Sequence, residues 1–195
     1  MLRVHEHFKS WQGTGLMSGV QQYFIRLAGC IQPCPLRPVC DEQEALAHSD
    51  YSDFDASTIN NTTDWWHITG GEPLEQEEAL LGEIPKWEKK KTHLQTSGLV
   101  RAVHSGLWDF ITVSPKSKRI LQTYGDELVL VNDPKWVTEE IAVSFEDSLY
   151  DFSTLYLQPL DVHGQFNWED TLRMAKRLGK SWRISCQIHK SAGCP

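Results

Sequence analysis

Trp65-Trp66-His67-Ile68-Thr69-Gly70-Gly71-Glu72-Pro73 runs a short strand straight into a glycine turn and then into proline. Aromatic and β-branched residues dominate Trp65–Thr69, as a pleated, half-buried strand requires. Two glycines let the backbone bend and approach a ligand closely, with N–H groups left open. Pro73 fits the first position of a helix. Helical spacing then covers about 75–90, and the next strand candidate is Thr92–Thr96. The stretch is one strand–turn–helix–strand unit.

The same alternation extends in both directions. Further strand candidates are Gln22–Ala28, Phe110–Ser114, Glu127–Val131, Leu155–Gln158 and Trp182–Ile188. Helix candidates lie near 116–124, 136–149 and 167–179, the last opening on Asn167 and closing on Gly179. Strand–helix repetition implies an α/β fold with a parallel sheet and helices outside. Seven strands with fewer helices predict a partial, incomplete TIM-like barrel, in a single domain spanning 1–195. Chemistry in such folds gathers at the C-terminal ends of the strands. The unusual motifs fall there: Gly29-Cys30, the Gly-Gly-Glu-Pro turn, Ser97-Gly98, Ser114-Pro115-Lys116 and Gln158-Pro159. The polar stretch 44–64 reads as a connection with one short helical turn at Glu44–His48.

Charge narrows the function. The net charge is −7, whereas nucleic-acid binders carry a basic stripe. Lys89-Lys90-Lys91 reads as a solvated helix end favoured by the helix dipole. A small-molecule substrate is expected, with no nucleic acid partner. No apolar run is long enough to span a membrane, and Met1–Glu6 lacks the apolar core of a secretory leader. A cytoplasmic location is expected, and five cysteines there do not suggest disulfides.

Cys30, Cys34 and Cys40 follow the first strand candidate in a loop that Pro33, Pro35 and Pro38 keep from being a regular helix. Thiolates are the natural ligands of iron–sulfur clusters. A four-iron cluster with three protein ligands leaves one iron open to bind S-adenosylmethionine. Zinc, with His48 as a fourth ligand, is the competing reading.

The three-cysteine loop followed one strand later by Gly-Gly-Glu-Pro resembles the signature of radical S-adenosylmethionine enzymes. Further stretches narrow the likeness. Trp11-Gln12-Gly13-Thr14-Gly15, Phe24–Cys30, Asp41 after the third cysteine, Gln95–Gly98, Val113–Lys116, Leu157–Leu160 and Trp182–Lys190 are similar, in order, to segments of the 7-carboxy-7-deazaguanine synthase family. The resemblance implies a radical SAM core and a carbon–nitrogen lyase. The reaction would contract 6-carboxy-5,6,7,8-tetrahydropterin to 7-carboxy-7-deazaguanine with loss of ammonia, toward 7-deazapurines such as queuosine. The implied cofactors are a 4Fe-4S cluster, S-adenosylmethionine and Mg2+. The implied partners are an electron donor such as flavodoxin and a second copy in a homodimer.

It also implies roles. Cys30, Cys34 and Cys40 would hold the cluster. Val39, Asp41, Gly71, Glu72, Ser114, Pro115, Lys116, Gln158, Pro159, Leu160 and Asp161 would contact S-adenosylmethionine. Trp11, Gln12, Gly13, Thr14, Arg26, Thr69, His189 and the Pro195 carboxylate would contact the pterin. Arg26 could pair with the substrate carboxylate, and a terminal carboxylate could accept two parallel N–H bonds from the pterin edge. As bland alternatives, Arg26 is a structural ion-pair partner, His189 an ordinary strand-end histidine and Lys116 an exposed helix-start lysine.

The chain departs from the family pattern at several places. Glu42 stands where the family has a magnesium-binding threonine, and Thr14 where it has a glutamate. The expectation is an exchange, with Glu42 binding Mg2+ through carboxylate oxygen. Val39 occupies a position that is often aromatic, Gln95 replaces a glutamate, and the gap between Cys34 and Cys40 is longer than usual. A different radical substrate, or a degenerate metal-binding homologue, remains open at this point.

Overall fold

Alternation along the strands gives the sheet two chemically different faces. The computed structural model describes residues 1–30, 34, 37–40, 43–46, 51–59, 62–87 and 90–194. Along the chain run β1 (Arg3–Trp11), β2 (Gln21–Leu27), β3 (Ser52–Asp53), β4 (Trp65–Gly70), α1 (Glu77–Glu83), β5 (Lys91–Thr96), β6 (Phe110–Val113), β7 (Tyr124–Asn132), α2 (Glu139–Ser144), β8 (Asp151–Pro159), β9 (Asp161–Val162), β10 (Gln165–Phe166), α3 (Trp168–Leu178), β11 (Trp182–Ile184) and α4 (Ile188–Ala192). The main sheet has the order β11-β8-β7-β6-β5-β4-β2-β1-β3. Pairing is parallel from β2 through β11 and antiparallel where β1 meets β2 and β3. The sheet does not close on itself, as a partial barrel should not.

Successive strand residues point to opposite faces. One face carries Ile25, Leu27, Trp66, Ile68, Leu94, Ile111, Val113, Leu128, Leu130, Leu155 and Leu157, all in the buried core. In register on the other face stand Phe24, Arg26, His67, Thr69, His93, Gln95, Thr112 and Glu127. The aliphatic face supplies the apolar burial that holds the fold, each fully buried leucine contributing about 2 kcal/mol. The polar face forms the concave interior.

All seven expected strands lie within this parallel set. The last is shorter than Trp182–Ile188. The Ser185 N–H still donates to the Leu157 carbonyl at 3.0 Å, but the Ile188 N–H donates to Gly13 O at 3.0 Å and opens α4. The helices are shorter too. Pro85 lacks an amide hydrogen and limits α1, which 3₁₀ turns at Pro73–Gln76 and Ile84–Lys86 flank. α2 spans only Glu139–Ser144, with Thr138 Oγ1 capping Ile141 N at 3.3 Å. No helix forms at 116–124. The Leu121 and Gln122 amides donate instead to Gly98 O at 2.7 and 3.0 Å, and the Ala102 amide donates to Gln122 Oε1. α3 begins after Asn167, but that side chain accepts from Leu160 N and donates to Asn132 O, both at 2.7 Å, rather than capping the helix. The polar connection holds the 3₁₀ turn Glu44–Leu46, β3, and a turn at Ala56–Thr58 capped by Asp55; His48 lies outside the described residues. Among the described residues no helix is long and apolar enough to cross a membrane.

Two histidines sit deep on the polar face. His67 stacks on Phe24 with ring centres 4.6 Å apart and lies 4.0 Å from the His93 ring. Burial, aided by the charge of Arg26, holds His67 down to about 3. Its folded value thus lies below the ordinary one, so between the two the unfolded chain binds the extra proton. Stability must fall as pH drops from about 6.5 toward 3, by about 1.4 kcal/mol per pH unit for one such group. Burial raises Glu72 and Glu127, which act in the opposite sense above their ordinary value of 4.5. Urea unfolding of His67→Phe below pH 4.5 should therefore show a shallower acid slope than the parent chain. Equal slopes would mean that His67 takes its proton while still folded.

Candidate functional site

At the C-terminal ends of the parallel strands the polar face opens into a cavity of about 270 Å³. Cys30, Cys34 and Cys40 all line it. Cys30 follows β2 after Ala28 and Gly29, whose amides donate to Arg3 O at 3.0 Å and Ala45 O at 2.7 Å. Between Cys34 and Cys40 lies the 3₁₀ turn Arg37–Val39, and Arg37 Nη1 donates to Cys30 O at 3.3 Å. None of the three cysteines is in a disulfide, and each is half-buried. Among the described residues no three His, Cys, Asp or Glu side chains are gathered about a point that would hold a single metal ion. A cubane does not need such a point, because each of its irons takes its own thiolate. Three thiols facing one cavity fit a four-iron cluster with one iron left open. The zinc alternative depends on His48, outside the described residues.

The Gly-Gly-Glu-Pro turn forms the adjoining wall. Gly70 has φ +106°, and a Cβ on it would stand 2.3 Å from Leu27 N. The Gly71 amide donates to Leu27 O at 2.9 Å, and the Glu72 amide to Gly29 O at 3.1 Å. Gly70 and Gly71 line the cavity, but Glu72 does not. Its carboxylate, 1% exposed, accepts from Leu74 N at 3.2 Å, Thr96 Oγ1 at 2.7 Å, Ser97 N at 2.9 Å and the Ser97 hydroxyl. The side chain ties the turn to the end of β5, while the turn's backbone faces the cavity.

The loop 12–20 closes the opposite wall. Gln12, Gly13 and Thr14 are buried there, and Trp11 at the end of β1 is half-exposed. Gly13 lies against the His189 ring so closely that a Cβ would fall 1.6 Å from Nδ1. His189 lines the cavity from α4, not from a strand end. Arg26 and Thr69 line it from β2 and β4. Arg26 also pairs with Glu6 at 2.5 Å and covers the Phe8 ring at 4.8 Å, so it has a structural partner as well as a cavity position.

The remaining wall comes from later strand ends. Ser114, Lys116, Gln158, Pro159, Leu160 and Asp161 line the cavity, whereas Pro115 is buried behind it. Lys116 Nζ donates to Ser114 O at 3.0 Å and Oγ at 2.6 Å. Asp161 pairs with Lys190 at 2.7 Å. Burial works to raise Asp161, but the Lys190 bond and charge outweigh it and hold the carboxyl below its usual range. Asp41, Glu42 and Pro195 lie outside the described residues, as does the Val39 side chain.

Sequence reasoning missed two of the cavity's cations, Arg37 and Lys190, and the buried Thr112 on its floor. Arg37 was signalled only by lying inside the cysteine loop, and Lys190 only by following His189. A lone cation has no pattern that separates it from a solvated one.

No protein-family model matches the chain. QueE from Escherichia coli, a solved structure, aligns with TM-score 0.64 at 22% identity, covering 94% of this chain and 92% of that one; at this identity the likeness concerns the fold. The 7-carboxy-7-deazaguanine synthase of Aquifex aeolicus is 29% identical over 97% of this chain and 93% of its own. That of Nitratidesulfovibrio vulgaris is 30% identical over an alignment of 220 residues, covering 99% of each protein. Agreement of this depth across nearly both full lengths settles the relationship: the chain belongs to the 7-carboxy-7-deazaguanine synthase family.

Proposed function

We propose that this chain converts 6-carboxy-5,6,7,8-tetrahydropterin to 7-carboxy-7-deazaguanine and ammonia, as a lyase of the radical S-adenosylmethionine class. The observation that carries the reading is one shared cavity. Cys30, Cys34 and Cys40 face it together with the Gly71 turn and the 12–14 loop. A 4Fe-4S cluster held by Cys30, Cys34 and Cys40, with S-adenosylmethionine beside it, would supply the one-electron radical chemistry that acts on the pterin.

The chain's own residues bind, orient and keep water out, since the cofactor carries the difficult chemistry. Gly71 lets the turn's backbone come close to the methionyl end. Ser114, Lys116 and the Gln158–Asp161 stretch hold the rest of S-adenosylmethionine. Arg26, Arg37, Lys116 and Lys190 all line the cavity, Arg26 and Lys190 already paired with Glu6 and Asp161, and they bring positive charge suited to a ligand carboxylate. Gln12, Thr69 and His189 offer hydrogen bonds to the pterin edge. Glu42 supplies a carboxylate for Mg2+. A flavodoxin-type electron donor and a homodimer complete the reading, supported by relatedness to the family over its whole length.

The test is anaerobic reconstitution with iron and sulfide, then dithionite, S-adenosylmethionine, Mg2+ and the carboxypterin. The expected products are 5′-deoxyadenosine and 7-carboxy-7-deazaguanine, with the deazapurine yield reduced by chelating Mg2+. A colourless protein that takes up zinc and no iron would sink the reading. Deoxyadenosine without the deazapurine would assign another substrate, a result in keeping with neutral Thr14 and Gln95 on the cavity wall.

A further inference from the structure

Glu127 is a carboxylate with 0% exposure, on the inward face of β7 and beneath the cavity. It is not one of the lining residues. One oxygen accepts from Thr112 Oγ1 at 2.7 Å, and the other accepts from the Leu16 amide at 2.5 Å. Thr112 in turn meets His93 Nε2 at 2.8 Å, and His93 Nδ1 meets Gln22 Oε1 at 3.0 Å. A buried hydrogen-bond chain therefore runs from His93 on β5 through Thr112 on β6 to Glu127, and ends on the backbone of the 12–20 loop.

That loop turns back on itself through Gln12 N to Val20 O at 2.9 Å and Gly19 N to Gln12 O at 2.8 Å. Among the described residues, its tip is held from outside at Leu16, Gly15 and Gly13. Leu16 N bonds Glu127, Gly15 N bonds Ser185 Oγ at 3.0 Å, and Gly13 O accepts from Ile188 N at 3.0 Å. Gly15 has φ +67°, and a Cβ there would stand 2.2 Å from a Glu127 oxygen. Only glycine lets the loop settle this close to the carboxylate. A hydrogen bond to a charged group outweighs a neutral one, and a buried carboxylate without its donors is costly. Of the three anchors, the Glu127 bond is thus the one whose loss most frees the loop.

We propose that Glu127 is the positioning residue of the substrate-binding loop: it fixes Gln12, Gly13 and Thr14 against His189 without touching the substrate. The proposal rests on the reading that this loop binds the pterin. It adds a residue from the middle of the chain to a wall built from its two ends.

The experiment compares the full chain with Glu127→Gln and Glu127→Ala. Amide hydrogen exchange over residues 13–19 is read without cofactor, and pterin KM and S-adenosylmethionine cleavage without pterin are read after reconstitution. Exchange at 13–19 and the KM should each rise about tenfold in Glu127→Ala, the effect of losing one charge-assisted hydrogen bond. Exchange elsewhere and uncoupled cleavage should stay near the parent values. Glu127→Gln keeps the volume but one acceptor oxygen, and should fall between; it decides the question by itself if the alanine variant does not fold. Unchanged exchange at 13–19 would overturn the proposal. So would a uniform rise in exchange with KM and cleavage lost together, which marks a purely structural carboxylate. If the parent chain cleaves S-adenosylmethionine but makes no deazapurine, the functional reading fails, while the exchange data still judge the anchor.

Discussion

Gly71→Ala should leave the sheet folded and abolish the radical chemistry. A Cβ at Gly71 would stand 1.8 Å from Gly29 O, 2.5 Å from Gly29 C and 3.2 Å from Cys30 Cβ. The obstacle is backbone, so no side-chain rotation relieves it. The turn must move away from β2, breaking the bonds from Gly71 N to Leu27 O and from Glu72 N to Gly29 O. Cys30 is the next residue along and shifts with Gly29. Overpacking of this kind costs about 1–3 kcal/mol, which a domain can survive. A reacting group misplaced by about 1 Å costs about 100-fold in rate. Iron content after reconstitution and 5′-deoxyadenosine formation should both collapse, while far-UV circular dichroism persists. A variant with full iron loading and normal cleavage would show that the turn and the cysteine loop are not in the contact described.

Glu72→Ala should act on stability instead. Removing the carboxylate leaves Leu74 N, Thr96 Oγ1, Ser97 N and the Ser97 hydroxyl without their common acceptor. Each buried donor left unsatisfied costs about 1–3 kcal/mol, so the loss is a large part of a domain's total. The urea midpoint should drop accordingly. Glu72→Gln should recover only part of the loss, because its amide nitrogen turns a donor toward donors. An unfolding free energy within about 1 kcal/mol of the parent would show that solvent or another group satisfies those donors. The sequence reading puts Glu72 on S-adenosylmethionine; in the structure its side chain bonds the end of β5 and is not among the cavity lining, which Gly70 and Gly71 join.

That displacement illustrates what the sequence can and cannot convey. The parallel strands were legible because aromatic and β-branched runs end in turn residues. β1 was not, since Arg3–Trp11 alternates little and owes its strand state to pairing with β2. Helix lengths were overestimated where proline or a long-range amide bond intervenes, as at Pro85 and Gln122. Site motifs at strand ends stood out because three cysteines cluster there and because glycine and proline mark where a strand gives way to a turn. Glu127 reads as a common strand residue, and its role exists only through Leu16, far away in the chain. His189 lines the cavity as read, but from a helix that Ile188 begins by bonding to Gly13.

The bond between Gly15 and Ser185 joins residues 170 positions apart. During synthesis, the chain can pair β2 with β4 and β4 with β5 long before residues 185–190 exist. Contacts of such wide separation also bear the greatest loop-closure cost and form late in folding. The cavity therefore gains its last wall after the rest of the sheet has set. A growing or truncated chain holds the cysteine loop and its neighbouring turn while lacking the wall that shields them from solvent. A cluster loaded before residues 185–190 exist would sit in a cavity without the wall that those residues supply.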